Sequence, residues 1–127
     1  MGKNIPSRRG PSELMIKKVA VVGCGLMGHG IAQVFACGGC TVNMHDLSER
    51  ILQQAKDRII TNLLTFVEMG LENIGTIEAV ISRIRGTTNL HEAVADADFV
   101  VEAIPEDLNL KKEIFRKIDA LTRKDTI

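Results

Sequence analysis

The chain has 127 residues, a formal net charge of zero, 45% hydrophobic and 25% charged residues, and neither Trp nor Tyr. That length suits one domain with a real core. The balanced charge argues against nucleic acid or a membrane surface as partner, the four Phe offer no platform for stacking bases, and no apolar run approaches the roughly 20 residues of a bilayer span.

Residues 1–15 read as a disordered lead-in rich in Pro, Gly, Ser and Arg. They contain no apolar core of a secretory signal, and Pro6 stands where a myristoylation site wants Ser or Thr. Three cysteines, an odd number, argue against a disulfide framework and fit a reducing cytoplasm. Ordered structure is expected over 16–127. Ile16 to Val22 is apolar and β-branched and predicts a buried strand. Gly23 to Gly28 predicts a tight turn, and Leu26 to about Cys37 a helix closed by a left-handed cap at Gly38 and Gly39. Thr41 to His45 is a second short strand. Ser48 caps a long helix to about Met69, with Ile51, Ala55, Ile59, Leu63 and Val67 inward, Leu52, Ile60 and Leu64 beside them, and Gly70 at its end.

Thr76 is expected to cap a further helix carrying Ile77, Val80, Ile81 and Ile84. An extended piece follows near Gly86. Asn89 to Glu92 resembles a capping box for a short helix. Phe99 to Ile104 is another buried strand, and Leu108 to Leu121 a last helix with Leu110, Ile114, Phe115, Ile118 and Leu121 inward. Arg123 and Lys124 lie at its C-terminal end, where cations are favoured, and Thr126-Ile127 begin one more strand. Alternating strands and helices indicate an α/β fold, a doubly wound parallel sheet with flanking helices.

The turn Gly23-x-Gly25-x-x-Gly28 acquires meaning from its context. A strand precedes it, a helix follows, and Asp46 ends the next strand about 18 positions after Gly28, close to the spacing of about 20 in a dinucleotide fingerprint. Gly23 permits the turn, Gly25 lets a pyrophosphate approach the backbone, and Gly28 lets the helix pack on the strand. The helix start favours the anion. Asp46 can accept hydrogen bonds from the adenosine ribose and would repel a 2′-phosphate, which favours NAD(H) over NADP(H). A methyltransferase turn usually carries an acid just before its first glycine, where Val21 and Val22 stand here.

Cys37-Gly-Gly-Cys40 lies at a helix C-terminus, where the dipole opposes a thiolate, and Cys24 lies at the helix's other end. Redox and zinc readings are therefore set aside, and no metal is expected. Cys24 sits in the phosphate turn, so a reactive thiol shielded by nucleotide is one expectation. His29, His45 and His91 lack a partnered acid at diagnostic spacing, and His29 reads as a surface or packing residue.

GCGLMGHGIAQVFA, Asp46 and DADFVVEAIPEDLNLKKEIFRKIDAL together resemble the L-3-hydroxyacyl-CoA dehydrogenase family from Lys17 to Ile127. The middle of the chain resembles its 3-hydroxybutyryl-CoA members, and a gulonate dehydrogenase or crystallin-like branch shares much of the pattern. The resemblance implies an NAD-binding Rossmann domain, acyl-CoA as substrate and a homodimeric parent protein. By matching positions, it implies that Gly23, Cys24, Gly25, Leu26, Met27 and Gly28 hold the pyrophosphate and Asp46 the adenine ribose. It likewise sets Ala103, Ile104, Glu106 and Lys111 beside the cofactor. Asn62 stands where relatives often carry Ser, and Met69 where Lys can occur. In the family a Ser-Asn-Thr-Ser segment and a His paired with a Glu follow the strand that Thr126 begins. The resemblance thus assigns no catalytic residue to this chain and implies cofactor binding without turnover.

Overall fold

The computed structural model describes residues 16–25, 27–71, 74–104, 108–123 and 126–127. The expected lead-in lies outside them. Four strands form one parallel sheet in the order β3-β2-β1-β4: β1 (Lys18–Val22), β2 (Thr41–His45), β3 (Ile84–Thr87) and β4 (Phe99–Glu102). The helices are α1 (Gly28–Cys37), α2 (Glu49–Glu68), α3 (Ile74–Ser82), α4 (Leu90–Val94) and α5 (Leu108–Leu121). No helix among the described residues is long and apolar enough to cross a membrane.

Side-chain alternation along β1 divides the core into two layers. Val19 and Val21 face one way and join Ala32 and Ala36 of α1, Leu52, Ala55, Ile59 and Leu63 of α2, and Val80 of α3. Ala20 and Val22 face the other way, onto Ala93 and Val94 of α4 and Ile118 of α5. A central strand buried on both faces explains its unbroken apolar run. Beyond β4, Ile127 continues the sheet: its N–H donates to the Asp98 carbonyl at 3.0 Å, and its carbonyl accepts from the Val100 N–H at 2.9 Å. That is the pattern of a parallel neighbour, where a further strand was expected.

Local chemistry sets the element ends. Ser48 Oγ accepts from the Ile51 N–H and starts α2. Both α1 and α2 end in a Schellman motif. Gly39, at φ +98°, sends its N–H to the Ala36 carbonyl while Cys40 bonds back to Phe35. Gly70, at φ +76°, bonds to Val67 while Leu71 bonds to Phe66. Gly38 is not left-handed, as was expected; its φ is −78°, because one reversal at Gly39 already closes the helix.

Four further expectations need correction. α3 begins at Ile74, so Thr76 lies inside its first turn and is not its cap. Ile84 belongs to β3 because its N-terminal neighbour Arg83 has already left the helix and its carbonyl pairs with the Val42 N–H. Leu64 is 45% and Phe115 50% exposed, each one residue off the stripe that Leu63 and Ile114 define on its helix. The capping box at Asn89 is half formed: Asn89 Oδ1 accepts from the Glu92 N–H, but the Asn89 N–H goes to Thr87 Oγ1, and Glu92 turns to Arg85 and Thr87. Leu110 and Lys124 carried expectations that fall on side chains outside the described set.

Candidate functional site

The chain lays β2 and then β3 on one side of β1 and returns to place β4 on the other. Such a reversal opens a crevice at the carboxyl ends of the central strands. A cleft of about 630 Å³ lies there. Gly23, Gly25 and Met27 line its base; His45, Asp46, Leu47 and Ile51 form the β2 wall; Glu102, Ala103, Ile104, Lys111 and Ile114 form the β4 wall.

The three glycines have three different surroundings. Gly23 has φ +91°, and a Cβ there would meet the Ala103 and Ile104 backbone at 3.0 Å; its N–H donates to the His45 carbonyl at 2.8 Å. It therefore ties the turn to both neighbouring strands. A Cβ on Gly28 would lie 1.9 Å from the Gly23 carbonyl oxygen, so only glycine lets α1 start so close to the turn. At Gly25 a Cβ would meet nothing within 4 Å. Its open side faces the cleft, where bare backbone is accessible to a ligand. Met27, the residue before α1, caps it with no side-chain hydrogen bond, and Leu26 lies outside the described residues.

Asp46 stands at the end of β2 with its carboxylate turned to the glycine turn. Oδ2 accepts from the Cys24 N–H at 3.3 Å and lies 3.9 Å from Cys24 Sγ, and Oδ1 accepts from the Leu47 N–H at 2.8 Å. Cys24 itself is 1% exposed and points into the core. Burial, reinforced by the Asp46 charge, pushes its thiol up to about 12. The expectation of a reactive thiol is therefore wrong, since a buried neutral thiol beside a carboxylate is a poor nucleophile. Cys24 reaches the site through its backbone.

His29 is buried, with Nδ1–H donating to the Gly25 carbonyl at 2.7 Å, so it braces the turn from behind. His45 Nε2–H donates to the Thr88 carbonyl at 3.2 Å, and burial lowers its pKa from the usual 6.5. Sequence reasoning gave neither a structural partner, because each partner is a backbone carbonyl. Asn62 of α2 donates to Gln33 Oε1 at 3.0 Å, and Met69, the residue that follows α2, is 65% exposed; neither is in the cleft lining. No group of three His, Cys, Asp or Glu among the described residues could hold a metal.

On the β4 wall Lys111 Nζ lies 3.7 Å from Glu102 Oε1. Glu102 also accepts from the Ile104 N–H through Oε2. Sequence reasoning passed over Glu102, although a lone acid at the end of the apolar strand FVVE was a signal. Glu106 lies outside the described residues. The structure thus gathers Gly23, Gly25, Met27, Asp46, Ala103, Ile104 and Lys111 on one cleft, with Cys24 and Gly28 behind the turn. Exposed turn backbone, a carboxylate on one wall and a cation on the other suit an elongated, partly anionic ligand with hydroxyl groups.

Comparison with known proteins agrees with that geometry. Residues 18–127 match the family described as 3-hydroxyacyl-CoA dehydrogenase, NAD binding domain. The chain belongs to this family. It binds NAD through a Rossmann-type domain. A probable 3-hydroxyacyl-CoA dehydrogenase of Caenorhabditis elegans is 38% identical over 88% of this chain and 39% of its own length. The 3-hydroxybutyryl-CoA dehydrogenase of Clostridioides difficile is 36% identical over 87% of the chain and 39% of its own. The crystal structure of 3-hydroxybutyryl-CoA dehydrogenase from Escherichia coli superposes with a TM-score of 0.85 at 36% identity, over 90% of this chain and 24% of that one. The chain therefore spans about two fifths of the length of these curated relatives.

Proposed function

We propose that the cleft is where this member of the 3-hydroxyacyl-CoA dehydrogenase family holds NAD(H), with the pyrophosphate over Gly23 to Gly28 and the adenosine ribose on Asp46. Ala103, Ile104 and Lys111 then lie beside the nicotinamide half, and Glu106 is assigned to the cofactor by the family resemblance alone. The observation that carries this reading is the open face of Gly25 beside the Asp46 carboxylate, at one end of one cleft. A carboxylate there accepts hydroxyl hydrogens and repels a phosphate. The corresponding whole-protein reaction is the reversible oxidation of an L-3-hydroxyacyl-CoA to the 3-ketoacyl-CoA by a homodimer in the cytoplasm. Three free cysteines support a reducing compartment.

That oxidation delivers a hydride to the nicotinamide and needs a base for the hydroxyl proton. His45, which lines the cleft, donates through Nε2–H to the Thr88 carbonyl. In our reading the 127-residue chain binds cofactor with little or no turnover. Calorimetric titration should show NADH binding more tightly than NADPH. Equal affinities would remove Asp46 from the ribose position, and NADH oxidation by the pure chain with acetoacetyl-CoA would overturn the claim of no turnover.

A further inference from the structure

The geometry points to Glu102 as the positioning residue of the nicotinamide half of the cleft, an inference that rests on the cofactor reading above. Glu102 follows Val100 by two positions on β4 and so shares its face, the layer where Ile114 and Ile118 of α5 pack. Its side chain is only 9% exposed. A carboxylate so placed is costly unless its oxygens are partnered, and an apolar residue would fill the position at less cost. Both of its partners belong to the cleft wall. Oε2 takes the Ile104 N–H, and Oε1 faces Lys111 Nζ on the first turns of α5.

The consequence reaches the glycine turn. Glu102 pairs in register with Val22, and the Ala103 N–H donates to the Val22 carbonyl at 2.8 Å. The same Ala103–Ile104 backbone is the surface that the Cβ-less Gly23 abuts. One buried carboxylate therefore fixes the backbone against which the turn packs and aims the lysine over it. β2 and β4 flank β1, so the Asp46 and Glu102 walls lie about 10 Å apart across the crevice. A dinucleotide with its adenosine on the β2 wall brings its nicotinamide to the β4 wall.

Binding should separate the two halves. The 127-residue chain and its Glu102→Gln variant would each be titrated with NADH and with ADP-ribose, which carries adenosine and pyrophosphate but no nicotinamide. Expected are roughly tenfold weaker NADH binding, the size of one lost charge-assisted contact, loss of the fluorescence enhancement of bound NADH, and a clearly smaller loss of ADP-ribose binding, passed on through the backbone that Gly23 abuts. In a Lys111→Met background the same change should cost less, because Glu102 acts in part through Lys111. Equal loss for both ligands, or loss for neither, would overturn the proposal. Should the Gln variant not fold, Glu102→Asp keeps the charge on a shorter arm and should show a smaller loss that again falls mainly on NADH; equal losses for both ligands there would equally overturn it. Failure of the unaltered chain to bind either ligand would instead refute the cofactor reading itself.

Discussion

At the scale of single residues, Asp46 shows how one carboxylate serves structure and ligand together. It holds the Cys24 and Leu47 amides and retains further lone pairs for hydroxyl donors. Asp46→Ala should weaken NADH binding roughly 10- to 100-fold, the range for hydrogen bonds to a charged group. NADPH should lose much less, so the ratio of the two dissociation constants falls toward one. An unchanged ratio by calorimetry would show that Asp46 does not face the ribose. The glycine spacing and this acid were legible in the sequence because each answers a local steric or chemical need. Burial of the cysteines as small packing residues was the default reading and holds for Cys24. Not legible was the hydrogen bond from its N–H to the Asp46 carboxylate, because that contact depends on the register of two strands whose ends lie 22 positions apart.

Among elements, the strands and long helices were legible because their periods are strong, whereas boundaries were decided by competition between neighbours. Ile84 continues the apolar spacing of α3, yet the ladder beside β2 claims it. Backbone pairing in a buried sheet outweighs one more helical turn at an exposed end. The two helix ends closed by glycine were readable for a different reason: only a residue without Cβ enters the left-handed region cheaply. Gly39→Ala and Gly70→Ala should each lower stability by about 1–2 kcal/mol, seen as a lower urea midpoint with an unchanged slope. Space is not the obstacle, since a Cβ at either position meets nothing within 4 Å. Gly30→Ala, inside α1 with equally open surroundings, is the control and should raise stability by about 0.5–1 kcal/mol. A neutral Gly39→Ala would mean that the α1 cap carries no strain requirement.

For the molecule as a whole, three groups that arise from tertiary packing set a pH window of maximum stability. His45 is held below its usual 6.5, chiefly by burial. As pH falls beneath 6.5 the unfolded chain takes up a proton that the folded chain resists, so stability declines. Asp98 adds to this at lower pH. Arg123 at 2.7 Å and the Lys17 and Lys18 N–H groups hold its carboxyl below 3.8, so its contribution, present above that value, is lost as acid protonates it. Cys24 acts on the other side. Its thiol is raised from 9.0 to about 12, so above pH 9.0 the unfolded chain loses a proton that the folded chain keeps, and stability declines again. Urea midpoints measured across pH should therefore plateau between about 6.5 and 9 and fall on both sides. Each side has its own variant. His45→Gln should flatten the first part of the acid decline and leave the alkaline one, and Cys24→Ala should do the reverse. A decline that survives both substitutions unchanged would place the titrating groups elsewhere in the fold.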